Sequence, residues 1–140
     1  MNLTSDDGWA RTAMGWSVVP WGCGKLLRWI DERYDRPPIY ITENGGAFHD
    51  RVVDGQIDDQ DRLSLIRDYL ASCHGAMSDG VDLRGYFAWS LMDNFEWASG
   101  YSIRFGLYHT DFPSGRRIAR TSAHWYRDVI RQNALPDSGT

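Results

Sequence analysis

Two short apolar runs with a helical segment between them constrain this chain more than any other feature. Ile39-Tyr40-Ile41-Thr42 is rich in β-branched and aromatic residues and ends at Glu43, before the loop residues Asn44-Gly45-Gly46. The second run, Val81 to Leu91, is centred on Tyr86-Phe87-Ala88-Trp89. Between them Leu63, Ile66, Leu70, Cys73 and Met77 recur at three- and four-residue steps, the period of an amphipathic helix. Strands joined through a helix run parallel, with a right-handed crossover. Parallel strands need helical cover and neighbouring strands on both sides. Two strands cannot supply these themselves, so the chain reads as a slice of a larger α/β structure.

The remaining segments fit that order. Trp21 to Tyr34 reads as a helix with Leu26, Leu27, Ile30 and Tyr34 on its apolar side. Asp35-Arg36-Pro37-Pro38 stops it, because proline lacks a donor and restricts the residue before it. Val52 to Ile57 reads as a small hairpin around Asp54-Gly55. Asp58 or Asp59 is the expected N-cap of the middle helix, and Asp79-Gly80 its end. Residues 92–104 form an aromatic, glycine-containing loop. Phe105–Phe112 and Arg116–Arg120 are expected to pair around Pro113-Ser114-Gly115. A last helix runs from Ser122 to Arg131, with Trp125 and Val129 facing inward. Residues 1–17 read as irregular, and residues 133–140 as a flexible tail. The expected division is thus a partial domain over 1–132 and a tail over 133–140.

Composition excludes several classes. At 140 residues, 42% hydrophobic and 24% charged, the chain is the size and make-up of one globular domain. A net charge of −4 argues against a nucleic-acid partner. No apolar run is long enough to cross a bilayer, and the first residues lack the basic-then-apolar pattern of a secretory leader. Cys23 and Cys73 are far apart in sequence and fall in helical stretches, so they read as reduced packing residues of a cytoplasmic protein. No CxxC or His/Cys cluster suggests a metal, and no cofactor is expected. His49, His74, His109 and His124 are scattered and read as surface or structural.

The acidic residues are unevenly chosen: 16 Asp but only Glu32, Glu43 and Glu96. Glu32 lies in a charged helical stretch and reads as surface. Glu43 closes a strand, and Glu96 sits between Phe95 and Trp97. In parallel α/β folds, reactive groups collect at the carboxyl ends of strands. A carboxylate there can attack the anomeric carbon of a sugar, with a second carboxyl about 5–5.5 Å away as acid and then base. Tryptophan offers a flat apolar face to the C–H side of a pyranose. The structural alternatives are a Glu43 that caps a helix or pairs with an Arg, a Glu96 in a buried salt bridge, and Trp89 and Trp97 in the core. From the residues alone, Glu43 and Glu96 could also pair as nucleophile and acid.

Longer motifs narrow this. Tyr40-Ile41-Thr42-Glu43-Asn44-Gly45 resembles the nucleophile motif of the family 1 glycoside hydrolases, the β-glucosidase family. The stretch from Gly85 to Trp97 resembles that family's signature at the last barrel strand. Gly100-Tyr101, Arg104-Phe105-Gly106, Trp125-Tyr126-Arg127 and, upstream, Met14-Gly15-Trp16 and Pro20 continue the likeness over roughly residues 13–132. The resemblance implies the C-terminal part of a (β/α)8 TIM barrel, its last two to three βα units, and not a complete barrel. It implies retaining hydrolysis of unphosphorylated β-glycosides. Glu43 takes the nucleophile position. Glu96 takes the position that binds the outer sugar hydroxyls, Trp97 the neighbouring hydroxyl-binding position, Trp89 the sugar platform, and Phe105 a lining position. Against the nucleophile–acid pairing, the resemblance makes Glu96 a hydroxyl-binding residue.

Two departures from the family pattern, Cys23 and Ala119, stand where Leu and Pro are common. The family's acid/base glutamate lies in an Asn-Glu-Pro motif, which this sequence does not contain. A full barrel needs roughly 250 residues. The implied partners are therefore a β-glycoside or oligosaccharide substrate and the missing N-terminal barrel portion. The alternatives are an inactive truncated remnant and a non-catalytic sugar-binding module. In every case the isolated chain is expected to turn over an unactivated disaccharide weakly or not at all.

Overall fold

The computed structural model describes residues 8–136, so residues 1–7 and the expected tail end at 137–140 lie outside the described residues. The first helix, α1, spans Pro20–Arg33 and opens on a proline, whose fixed φ suits the first helical turn. The backbone leaves it through Asp35 and Arg36, both at positive φ. Pro37-Pro38 then leads into β1, Ile39–Asn44. Val53 and Gln56 form an antiparallel bridge around Asp54 and Gly55, which share the positive φ that a tight hairpin turn demands. Helix α2 (Gln60–Ser78) ends at Gly80, at φ 101°, and is followed by β2 (Leu83–Ala88). A single 3₁₀ turn covers Trp97–Ser99. Strands β3 (Tyr108–Thr110) and β4 (Arg117–Ala119) pair antiparallel, and helix α3 (Thr121–Gln132) closes the described chain.

Strands β1 and β2 are hydrogen-bonded neighbours and run parallel, as the strand–helix–strand order requires. Tyr40 lies opposite Gly85, where a side chain would come within 2.7 Å of the Tyr40 ring, and Ile41 lies opposite Tyr86. One face of the pair packs on α1 and α2 through Leu27, Cys73, Ala76, Val81 and Leu83, with Ile39, Ile41 and Tyr86 against them. A second cluster, Leu65, Ile66, Leu107 and Ala123, joins α2 to α3. The other face of the sheet is bare: Tyr40 is 54% exposed and Phe87 58%. The described structure is therefore a partial α/β unit and not a closed barrel.

Several expectations need correction. On α1, Leu27 is buried but Leu26 and Tyr34 are exposed. The inward side is set by Cys23, Gly24 and Leu27, while Tyr34 lies past the helix end against Trp29. On α2, Met77 is exposed, and Leu65 and Ala76 are buried in addition to Ile66 and Cys73. Asp59 stands at the N-cap of α2 but makes no capping bond. Its carboxylate instead accepts from Arg62 at 2.8 Å and from the Ser122 amide at 2.9 Å. On α3, Trp125 packs against the second cluster, yet Ser122 and Ala123 are the buried positions. Cys23 and Cys73, distant in sequence, touch in space, with sulfurs 3.8 Å apart. No helix among the described residues is long and apolar enough to cross a membrane.

Candidate active site

The carboxyl ends of β1 and β2 are fastened side by side. The Trp89 amide donates to the Asn44 carbonyl at 2.8 Å, and the Tyr86 hydroxyl donates to Asn44 Oδ1 at 2.7 Å. Gly45 packs its bare Cα against the Trp89 carbonyl, leaving no room for a Cβ. This places Glu43 beside Trp89. Beyond β2, the chain runs along residues 105–108: the Leu107 amide donates to the Ser90 carbonyl at 2.8 Å, and Tyr108 to Leu91 at 2.9 Å. That pairing carries Phe105 under the same rim. The intervening loop folds back on itself, with the Glu96 amide donating to the Gly100 carbonyl at 2.7 Å.

The result is a cleft of about 810 Å³ lined by Glu43, Trp89, Glu96, Trp97 and Phe105, the five residues singled out in the sequence. Trp16, Asn44, Gly45, Asn94 and Phe95 complete the lining. Phe105 is buried and packs against Trp16, ring centres 5.9 Å apart. Trp89 is 39% exposed and Trp97 82%, so neither is a core residue. Both line the cleft. Among the described residues, no ion pair or hydrogen bond engages the Glu43 or Glu96 carboxylate. The helix-cap and salt-bridge alternatives for these two residues are thus not realised in the described structure. Among the described residues, no Lys or Arg lines the cleft, leaving two carboxylates facing one space.

Sequence reasoning missed what holds this rim. Asp93, in the same loop as Glu96, is buried as a hub of charge. It accepts from Arg104 Nη1 at 2.7 Å, from both Arg120 Nη1 and Nη2 at 3.1 Å, and from the amides of Gly106 at 2.9 Å and Thr110 at 3.2 Å. Burial alone would push the Asp93 carboxyl up. The Arg120 and Arg104 guanidiniums outweigh that and hold it below the ordinary aspartate value. Arg120 Nε also lies 2.7 Å from Asp50, which is shared with Arg62 at 2.8 Å. Arg62 and Arg120 are 1% and 0% exposed, so this network is interior and ties α2, α3 and the loop together. His109 borders it, 3.6 Å from Asp93, whereas His49, His74 and His124 are exposed. Nothing in the sequence spacing of Arg62 and Arg120 marks them as buried. Trp16 stood in a matched motif, but its contact with Phe105 depends on the fold. Among the described residues, no three His, Cys, Asp or Glu converge as a metal site would require.

A carboxylate at a parallel strand's end, a second carboxylate and exposed indoles thus gather at one rim of an α/β unit. The chain belongs to glycosyl hydrolase family 1, whose family model matches residues 1–135. It is 46% identical over 128 residues to β-glucosidase A of Thermotoga maritima, covering 91% of this chain and 29% of that protein. It is 47% identical over 134 residues to human lactase/phlorizin hydrolase, covering 94% of this chain and 7% of that one. Among solved structures, the Thermotoga maritima β-glucosidase bound to a substituted glucoimidazole superposes with a TM-score of 0.90 at 43% identity. That match covers 96% of this chain and 30% of the other. The same family 1 enzyme has been captured with a cyclophellitol analogue described as a transition-state mimic, again at TM-score 0.90. The chain therefore spans less than a third of the length of these β-glucosidases.

Proposed function

We propose that this chain supplies the nucleophile and the sugar-gripping wall of a retaining β-glycosidase acting on unphosphorylated β-glycosides. It would form the C-terminal part of a (β/α)8 barrel, its last two to three βα units. In this reading, Glu43 attacks C1 of the sugar and forms a covalent glycosyl–enzyme ester, which water later cleaves. Trp89 stacks under the pyranose, Glu96 and Trp97 hold its outer hydroxyls, and Phe105 backs the cleft. The partner is a β-glycoside or oligosaccharide, and the acid/base carboxyl comes from barrel segments outside these 140 residues. The observation that carries this reading is the convergence of Glu43, Trp89, Glu96 and Trp97 on one cleft without a counter-ion among its lining residues. We place the protein in the cytoplasm, where its two thiols would stay reduced.

Without the acid, departure of an ordinary alcohol goes unassisted, and such assistance contributes roughly 10²–10⁴-fold. The isolated chain should therefore turn over cellobiose barely or not at all. The decisive experiment combines the chain with the complementary N-terminal portion of the Thermotoga maritima β-glucosidase. The reconstituted protein is treated with a 2-deoxy-2-fluoro-β-glucoside carrying a good leaving group. Mass spectrometry should find the fluorosugar on the peptide containing Glu43. A label on another residue, or none at all in an assembly that hydrolyses substrate, removes this assignment.

A further inference from the structure

Outside the cleft, the most reactive chemistry in the fold lies between α1 and α2. Cys23 and Cys73, separated by 50 positions, bring their sulfurs to 3.8 Å. The approach has a local cause. Gly24 donates its amide to Ser72 Oγ at 3.1 Å, and a Cβ at Gly24 would fall 2.6 Å from that oxygen. Only a residue without a side chain lets the helices meet this closely, and the neighbouring positions 23 and 73 are drawn together with them. Cys73 is buried in the apolar cluster, while Cys23 is half-buried at its edge.

We infer that Cys23 and Cys73 form an oxidisable thiol pair, closing to an intrachain disulfide that staples α1 to α2 when a small-molecule disulfide such as oxidised glutathione is present. The sulfurs need to close from 3.8 Å to about 2.05 Å, less than one ångström of travel each. Glycines on either side of Cys23 put little side-chain bulk in the way. Cys23 sits at the edge of the cluster where a small disulfide can reach it, and Cys73 is buried behind it, so Cys23 is the attacking sulfur and Cys73 the resolving one. The hydrogen bond from Cys73 supports this order, because it lowers the Cys23 pKa to about 7 against the upward pull of burial.

The exchange balances in two steps. The Cys23 thiolate attacks one sulfur of glutathione disulfide, forming a Cys23–glutathione bond and releasing one glutathione thiolate. Cys73 then gives its proton to solvent and attacks Cys23 Sγ, displacing the second glutathione thiolate. Two protein thiols are oxidised, and one glutathione disulfide is reduced to two glutathiones. A reducing cytoplasm keeps the pair open, and an oxidising challenge closes it.

The test equilibrates the full chain with defined ratios of oxidised and reduced glutathione, in buffer and in 8 M urea. After acid quench and thiol alkylation, intact mass and non-reducing peptide maps are read. The expected result is a Cys23–Cys73 cross-link whose effective concentration is roughly a hundredfold higher in buffer than in urea, since a staple that suits the native fold stabilises it. Cys73→Ser should stop at the glutathione adduct on Cys23. Equal effective concentrations in the two solvents overturn the inference. So do cross-links that join two chains, or a wild-type chain that also stops at the mixed disulfide.

Discussion

Gly45 and Trp89 meet backbone to backbone: the Cβ that Gly45 lacks would overlap the Trp89 carbonyl oxygen. Neither partner can yield as a flexible side chain would, because both are main chain next to a strand end. Gly45→Ala should therefore force β1 and β2 apart beside Glu43. Overpacking of this kind costs about 3 kcal/mol, at the upper end of its usual range. Urea denaturation should show the midpoint falling accordingly. Gly55→Ala, at a turn glycine with open space around it but a positive φ, should cost less, about 1 kcal/mol.

The Asp93 hub makes stability fall in acid. Its folded-state carboxyl lies below the ordinary aspartate value, so the unfolded chain binds the proton more readily. The contribution is fully present above pH 4 or so, and it is lost as pH drops through the folded value. Thermal melts from pH 7 to pH 2 should show a decline beginning near the ordinary aspartate value. His109 adds to it earlier: burial first, and then the Arg104 and Arg120 charges, lower its pKa from 6.5. That favours the folded state above 6.5 and weakens it as pH falls below. Asp93→Asn should flatten the acid limb and cost about 3–5 kcal/mol at pH 7, because Arg104 and Arg120 lose a buried counter-charge.

How much of this was legible in sequence follows the range of each signal. The parallel pairing of β1 and β2 was legible because a helix between two apolar runs permits little else. The Val53–Gln56 hairpin was legible because Asp54-Gly55 can take the two positive φ values it needs. Glu43, Trp89, Glu96 and Trp97 share a cleft because both of their motifs sit at strand ends of one sheet, and the pairing of residues 105–108 with Ser90 and Leu91 adds Phe105. What was not legible depends on packing between distant segments. Leu26 and Leu27 are adjacent and equally apolar, and Leu27 turns inward because it shares the face of α1 on which Cys23 and Gly24 meet α2. Arg62 and Arg120 carry no mark of burial until Asp50 and Asp93 surround them.

A free carboxylate in a cleft should matter for chemistry and hardly at all for folding. Glu43 and Glu96 have no counter-ion among the described residues, so Glu43→Gln and Glu96→Gln should each shift stability by less than about 0.5 kcal/mol. In the reconstituted enzyme, Glu43→Gln should lower kcat by at least about a thousandfold, since the covalent path is gone. Glu96→Gln should lower kcat/KM by roughly 10–150-fold, the worth of one charged hydrogen bond. Steady-state kinetics beside thermal melts would separate the two. A large stability loss in either variant would mean that the carboxylate supports the fold instead.

Under the proposed function, the charge at Glu96 would also set what the cleft rejects. In the proposed orientation this carboxylate faces the outer hydroxyls of the sugar, so a 6-phosphate would be brought against it. Like charges a few ångströms apart near a protein surface repel by several kcal/mol before screening. Removing the charge while keeping a hydrogen-bonding amide relieves that repulsion and leaves the stacking on Trp89 untouched. The reconstituted enzyme should therefore prefer 4-nitrophenyl β-glucoside over its 6-phosphate strongly at low salt. Glu96→Gln should narrow that preference by at least about tenfold, and raising the ionic strength should narrow it further in the wild type than in the variant. Measured as a ratio of kcat/KM values, the preference is insensitive to how completely the two barrel portions assemble. An unchanged ratio in Glu96→Gln would place the sugar's outer end elsewhere in the cleft.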